Sequence, residues 1–271
     1  MAAAEYLNPE TLPPPTGGAY THLIKLGNWV LIAGQTAGTM DRSIVGVGDP
    51  AAQMRRAYER LALAMEAAGG KLTDIVATKA YITDPAGWPA MSDARAGMFG
   101  DKPPTSTLLV ISRLARPEYL VEVEAVAYMS TQESADPDRR SAMATVEHLQ
   151  PEGMSPNNNR YTHVVKVGPW VYIAGQTASD ENGNVVGVGD PAAQTEQVFK
   201  NLAKAVESVG GKLTDIVQTT VYVVGEENLE AIREARTGRL GDKPPTSTLL
   251  VISRLARPEF MLEIEAVAYV E

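Results

Sequence analysis

The chain has 271 residues, 44% of them hydrophobic and 21% charged, the composition of a globular protein with room for one large domain or two ordinary ones. Its net charge of −9 repels phosphate backbones and anionic lipid, and no Lys/Arg-rich run offsets that balance, so neither nucleic acid nor membrane is expected as a partner. Cysteine is absent, and His22, His148 and His163 are the only histidines, too scattered to form a metal set; disulfides and thiolate chemistry are excluded, and no metal or cofactor is expected.

The opening stretch, MAAAEYLNPETLPPP, lacks a basic region followed by an apolar core, and no apolar run in the chain approaches about 18 residues, so the expectation is a cytoplasmic protein. Thr21–Thr36, THLIKLGNWVLIAGQT, holds two apolar runs around Gly27-Asn28 and predicts a β-hairpin whose second strand is buried. A helix is predicted next, with Asp49 as N-cap, Pro50 in its first turn and Gly69-Gly70 as its stop. Tyr58, Leu61, Met65 and Ala68 fall three and four apart, on one face of it. A strand over 74–83, a second helix near 88–98 and strands over 105–111 and 119–128 follow. The order β-β-α-β-α-β-β predicts an α+β unit, a mixed sheet with both helices on one face. Its other face is left without apolar partners, which predicts oligomerisation.

The same series then begins again. His22 and His163, Gly34 and Gly175, Tyr81 and Tyr222, and Glu124 and Glu265 are all 141 positions apart, and the nineteen residues Gly100–Glu118 return unchanged at Gly241–Glu259. A period of that length is a duplicated domain, not a solenoid repeat. The expected boundaries are 5–129 for the first domain, 130–145 for a polar linker and 146–271 for the second.

Four features in each copy bear on chemistry. In VEVEA and LEIEA, strand alternation places Glu122 with Glu124, and Glu263 with Glu265, on common faces about 7 Å apart. Partly buried, such a pair raises one carboxyl pKa and makes a candidate acid/base; solvated, it is merely an acidic strand face. Thr105, Ser106 and Thr107, repeated as Thr246, Ser247 and Thr248, supply hydroxyls that could hold a carboxylate or carbonyl, or could be β-branched residues suited to a strand. Gly34 and Gly175 end a buried strand, where a ligand could approach the backbone or a bulge could form. GVGDPAAQ, at Gly46 and again at Gly187, lacks the third glycine and the lysine of a phosphate loop, so nucleotide binding is not expected.

With AYTHLIKLGNWVLIAGQT, DPAAQ, GGKLTDIVATKAYIT, FGDKPPTSTLLV and EVEAVA in view, both units resemble the Rid family, the reactive-intermediate deaminases also labelled endoribonuclease L-PSP. The resemblance implies tandem chorismate-mutase-like folds, with three units packing their sheets into a barrel and ligand clefts between neighbours. It implies that Glu122 and Glu263 orient water and that Tyr20, Tyr161, Gly34 and Gly175 line the clefts. It further implies a bidentate arginine for the substrate carboxylate, and here the chain departs: Thr105 and Thr246 stand in its place, and the nearest positions to the family's asparagine are Ser92 and Arg233. Arg95 and Arg236, in the second helix of each copy, are the candidates to replace the lost cation. Two units per chain and three per barrel give a homotrimer of six units in two rings. The function expected is a hydrolase or deaminase of a small imine, enamine or related C–N metabolite other than the usual 2-aminoacrylate type. The alternatives are a non-catalytic protein that binds a small metabolite or acts as a holdase, and a ribonuclease, against which the acidic charge and the lack of a histidine acid/base pair argue.

Overall fold

The computed structural model of the chain describes residues 4–15, 20–129, 144–242 and 244–271. Most of the expected linker, residues 130–143, lies outside the described residues. The elements of the first copy are β1 (Glu5–Leu7), β2 (Leu23–Leu26), β3 (Trp29–Thr36), α1 (Pro50–Ala67), β4 (Ile75–Ile82), α2 (Trp88–Ala94), β5 (Thr105–Val110) and β6 (Val121–Tyr128). Those of the second are β7 (Val146–Leu149), β8 (Val164–Val167), β9 (Trp170–Gln176), α3 (Pro191–Glu207), β10 (Ile216–Val224), α4 (Leu229–Arg236), β11 (Thr246–Ile252) and β12 (Leu262–Tyr269). Two six-stranded sheets result, ordered β1-β2-β3-β6-β4-β5 and β11-β10-β12-β9-β8-β7. In the second, the β10–β11 pair is parallel and the others resolved are antiparallel. The fold is therefore the expected α+β one, twice.

Two compact units divide the chain. The first holds residues 1–104 and 112–146, and the second holds 147–271 together with Thr105–Ile111. That strand, β5, is part of the first repeat in sequence, and it packs on β9 of the second unit.

Local chemistry explains the elements. Gly27 takes a positive φ of 59° as the first of two turn residues between β2 and β3, and Gly168 repeats it at 58°, followed by Pro169; this is the turn geometry that matches strand twist. Asp49 Oδ1 accepts the Ala52 N–H at 3.0 Å, Pro50 opens α1, and Gly69 follows its end at φ 83°. Tyr58, Leu61, Met65 and Ala68 are buried on the face that packs on β3 and β6. In the second unit Val198, Leu202 and Val206 of α3 join Val171, Ile173, Ile264 and Ala268 in one core. Each such side chain contributes roughly 1.5–3 kcal/mol when fully buried.

The sequence pattern misses β1 and β7 and overextends the second helix. Three or four residues of mixed polarity are too few to show a pattern, and β1 is held by antiparallel pairing of Glu5–Leu7 with Leu23–Lys25. A histidine fastens each leader behind it. The His22 ring nitrogen Nε2 meets the Pro13 carbonyl at 2.7 Å, and His163 Nε2 meets that of Ser155 at 2.9 Å. Helix α2 stops at Ala94, short of the expected residue 98, because Gly97 turns at φ 75°. The strand expected from 119 starts at Val121.

The GVGD loops also find their purpose. Gln53, fully buried, donates to the carbonyls of Gly46 and Glu118 and accepts the Leu120 N–H at 2.9 Å. Gln194 does the same for Gly187, Glu259 and Met261. One buried amide thus ties the loop before each first helix to the entry of the glutamate strand, satisfying backbone groups that would otherwise be orphaned.

Candidate functional site

In each sheet the glutamate strand lies between the hairpin strand and the strand after the first helix, β6 between β3 and β4, β12 between β9 and β10. Val121 and Val123 point into the core with no exposure, and Glu122 and Glu124 take the opposite face at partial burial. Glu122 is level with Thr36 on β3 and with Tyr81 on β4. Its carboxylate lies over Gly34: a Cβ built there would clash with Oε1 and sit 2.7 Å from Cδ. Glu263 covers Gly175 in the same way, again 2.7 Å to Cδ. The bulge reading of the glycine holds in both copies, since the β3–β6 register shifts between Ile32 and Gln35 and the β9–β12 register between Ile264 and Ala266. What approaches the bare backbone is the protein's own carboxylate.

Burial pushes the Glu122 carboxyl above the usual range, the neighbouring Glu124 charge adds to that, and Arg60 opposes it. Glu263 is deeper, at 4% exposure. The second glutamates part company. Glu124 lies 3.7 Å from Lys79 Nζ, whereas Glu265 accepts the Tyr222 hydroxyl at 3.0 Å. Tyr20 stacks edge-on against His22 with centroids 5.2 Å apart, and Tyr161 against His163 at 5.1 Å.

The hydroxyl triplets differ most. Thr105 and Thr107 are buried, and within the second unit the Gly175 N–H donates to Thr107 Oγ1 at 3.2 Å. That unit therefore gathers Thr107, Gly175 and Glu263 around one stretch of β9. Thr246, Ser247 and Thr248 are exposed. Thr246 Oγ1 donates to the Val217 carbonyl, and Ser247 Oγ accepts from Thr219 Oγ1 and from Arg236 Nη2, both at 3.1 Å. Arg236 thus reaches the hydroxyl strand of its own copy, with burial lowering its pKa. Arg95 hydrogen-bonds Tyr58 at 3.4 Å and stacks over Trp88 at 5.4 Å.

One side chain escaped the sequence reading. Arg60 of α1 is 5% exposed and donates through Nη1 to the Thr36 carbonyl at 3.1 Å and to Thr36 Oγ1 at 3.4 Å. Its charge is felt by Tyr20, Tyr119, Glu122 and His22. The signal was in the sequence: Arg60 falls among the residues that α1 buries, seven after Gln53 and three after Ala57, where a charge is unexpected, and the aligned residue in the second copy is Asn201.

A family model, that of endoribonuclease L-PSP, matches residues 11–129 and again 153–270. A RutC family protein of Pyrococcus abyssi is 33% identical over 112 residues, 41% of this chain and 87% of that protein. The 3-aminoacrylate deaminase RutC of Acinetobacter baylyi is 30% identical over 124 residues, 46% of this chain and 98% of the relative. Among solved structures, a chorismatase at 16% identity superposes with a TM-score of 0.62, covering 91% of this chain and 76% of the other, which is a likeness of fold. No helix among the described residues is long and apolar enough to cross a membrane.

Proposed function

Since this chain belongs to the endoribonuclease L-PSP family, through both of its halves, we propose that it is a cytoplasmic hydrolase of small C–N compounds, a deaminase of imines or enamines. The observation that carries the reading is the glutamate laid over a side-chain-free strand residue, Glu122 on Gly34 and Glu263 on Gly175. Similarity to a 3-aminoacrylate deaminase over nearly that protein's whole length supports the reaction class.

In this mechanism Glu122 or Glu263 takes a proton from a water molecule as its oxygen adds to the carbon of C=N, and returns a proton to the nitrogen. Collapse of the adduct then releases ammonia and leaves a carbonyl. At Glu122 a raised carboxyl pKa suits both transfers, since the group is a stronger base than a solvated glutamate. Tyr20 and Tyr161 wall the clefts, and backbone N–H groups near Gly34 or near Thr107 hold developing negative charge. The triplets Thr105–Ser106–Thr107 and Thr246–Ser247–Thr248 offer hydrogen bonds without a charge, so 2-aminoacrylate-type imines are poor substrates wherever those triplets alone must hold the carboxylate. The same missing clamp favours the second reading, a binding protein without turnover.

The assembly belongs to the proposal. Leu250 and Val251 of β11 are each 45% exposed, and Leu31 of β3 is 42% exposed. These apolar surfaces differ from one another, so they join copies head to tail and close into a ring. Three chains, about 87 kDa from three of 29.0 kDa, are the smallest closed set for units that pack in threes.

The test is ammonia release from a panel of imines made in situ by amino-acid oxidases, together with enamines lacking a carboxylate. Turnover above the spontaneous rate on any member supports the hydrolase. Saturable binding of the carbonyl products with no acceleration anywhere replaces it with the binding protein.

A further inference from the structure

Arg60 is a buried cation that feels the Glu122 carboxylate only weakly. Among the described residues it has no ion-pair partner, and its Nε, buried, has no hydrogen-bond acceptor. Arginine is rarely buried this deeply unless paired, because desolvating the guanidinium costs several kcal/mol. The second unit shows what a purely structural side chain looks like at this position. Asn201 Nδ2 donates to the Thr177 and Ser179 carbonyls at 3.0 and 2.9 Å, pinning the end of β9 with no charge at all.

Two further positions change together with it. A Cβ built on Gly38 would lie 3.1 Å from Arg60 Nη1 and 3.1 Å from the Tyr119 hydroxyl. In the second copy the aligned residues are Ser179 and Phe260. The first unit therefore has a glycine where a side chain would crowd the guanidinium, and a phenol beside it where the other unit has a bare ring. Pinning a strand end needs none of these three differences. They place the guanidinium hydrogens that Thr36 does not take beside the Tyr119 hydroxyl.

We propose that Arg60 and Tyr119 form a carboxylate subsite in the first unit, so that this unit takes anionic small molecules and the second takes neutral ones. Glu122 feels the Arg60 charge. The subsite deepens the proposed function by giving the first cleft a substrate class, and it rests on that reading only for turnover, not for binding. The clamp missing at Thr105 is then supplied from α1, a different element of the fold.

The experiment titrates the intact protein with pyruvate and with its neutral isostere pyruvamide, following arginine Nε–H resonances by NMR and binding by calorimetry. Pyruvate should move the Arg60 signal and bind once per chain, and pyruvamide should do neither. The triple variant Arg60→Asn, Gly38→Ser, Tyr119→Phe copies the second unit's own solution and should keep the melting behaviour of the parent. It should weaken pyruvate binding by about tenfold or more, the loss expected for charge-assisted hydrogen bonds. Equal binding of pyruvamide, or pyruvate binding indifferent to the triple variant, overturns the subsite. If the subsite binds as expected while no imine is hydrolysed, the hydrolase reading fails and the subsite stands. If imines are hydrolysed with no dependence on Arg60 or on substrate charge, the reverse holds.

Discussion

Gly100–Glu118 and Gly241–Glu259 are the same nineteen residues, and the structure treats them in opposite ways. In the first, Leu109 and Val110 are 2% and 4% exposed; in the second, Leu250 and Val251 are each at 45%. The strand forms in both places, since Thr, Leu and Val fit a pleated sheet either way. What differs is the cover. β5 lies against β9, while the equivalent face of β11 has no such cover among the described residues. Burial is thus a property of the neighbour, and a sequence identical in two places makes one covered surface and one exposed apolar surface.

The sharpest way to break that comparison is to place a charge on each copy of the same leucine. Leu109→Glu buries a carboxylate among apolar side chains and should cost several kcal/mol, enough to unfold the chain in a thermal melt. Leu250→Glu should change the melting of the fold by no more than about 1 kcal/mol. It should instead lower the mass seen by light scattering from three chains to one. Equal effects of the two substitutions would mean that the two faces do not differ in solution.

Next in size are the glutamates. Glu122→Gln with Glu263→Gln should reduce turnover about 100-fold with folding intact, because Gln keeps shape and most hydrogen bonds. Each single variant sharpens the comparison: Glu122→Gln should remove activity on carboxylate-bearing substrates and Glu263→Gln that on neutral ones. Full activity in the double variant would rule out these carboxylates as the catalytic groups.

The glycines beneath them should respond unequally. Gly175→Ala drives a methyl into the carboxylate of Glu263, which is 4% exposed and has little room to move, and should cost roughly 1–3 kcal/mol by overpacking. Gly34→Ala meets Glu122, which can swing toward solvent, and should cost less in stability than Gly175→Ala. Denaturant titration of the two variants separates them.

The smallest effect is one in which the copies agree. Burial holds the pKa of His22 and of His163 below its ordinary value of 6.5. The folded state then binds these protons less readily than the unfolded one, so the contribution of both rings is complete above pH 6.5 and is lost as the pH falls through and below it. Glu122, raised by burial, acts in the other direction and relieves the fold as acid neutralises it. Melts between pH 7.5 and 5 on His22→Gln and His163→Gln should each show a flatter acid limb than the parent.

Much of this was legible in the sequence, because its causes are local. Period-141 identity announces the duplication. Asp49-Pro50 and Gly69 bound α1, and the two-residue alternation of VEVEA sets Glu122 opposite Val121 and Val123, since backbone geometry fixes where successive side chains point. Nothing local could show that the Glu122 carboxylate rests on Gly34, 88 positions away in the chain, or that Gln53 ties Gly46 to Glu118. Nor could it assign Thr107 to Gly175, or set Arg60 against Thr36 and Tyr119. Those pairings depend on which strands become neighbours and which helix lies over them, and one linear pattern is compatible with several such arrangements. Sequence determined most of the elements and their faces; tertiary packing alone decided which of two identical threonine triplets is buried and that the buried Arg60 is aimed at Thr36.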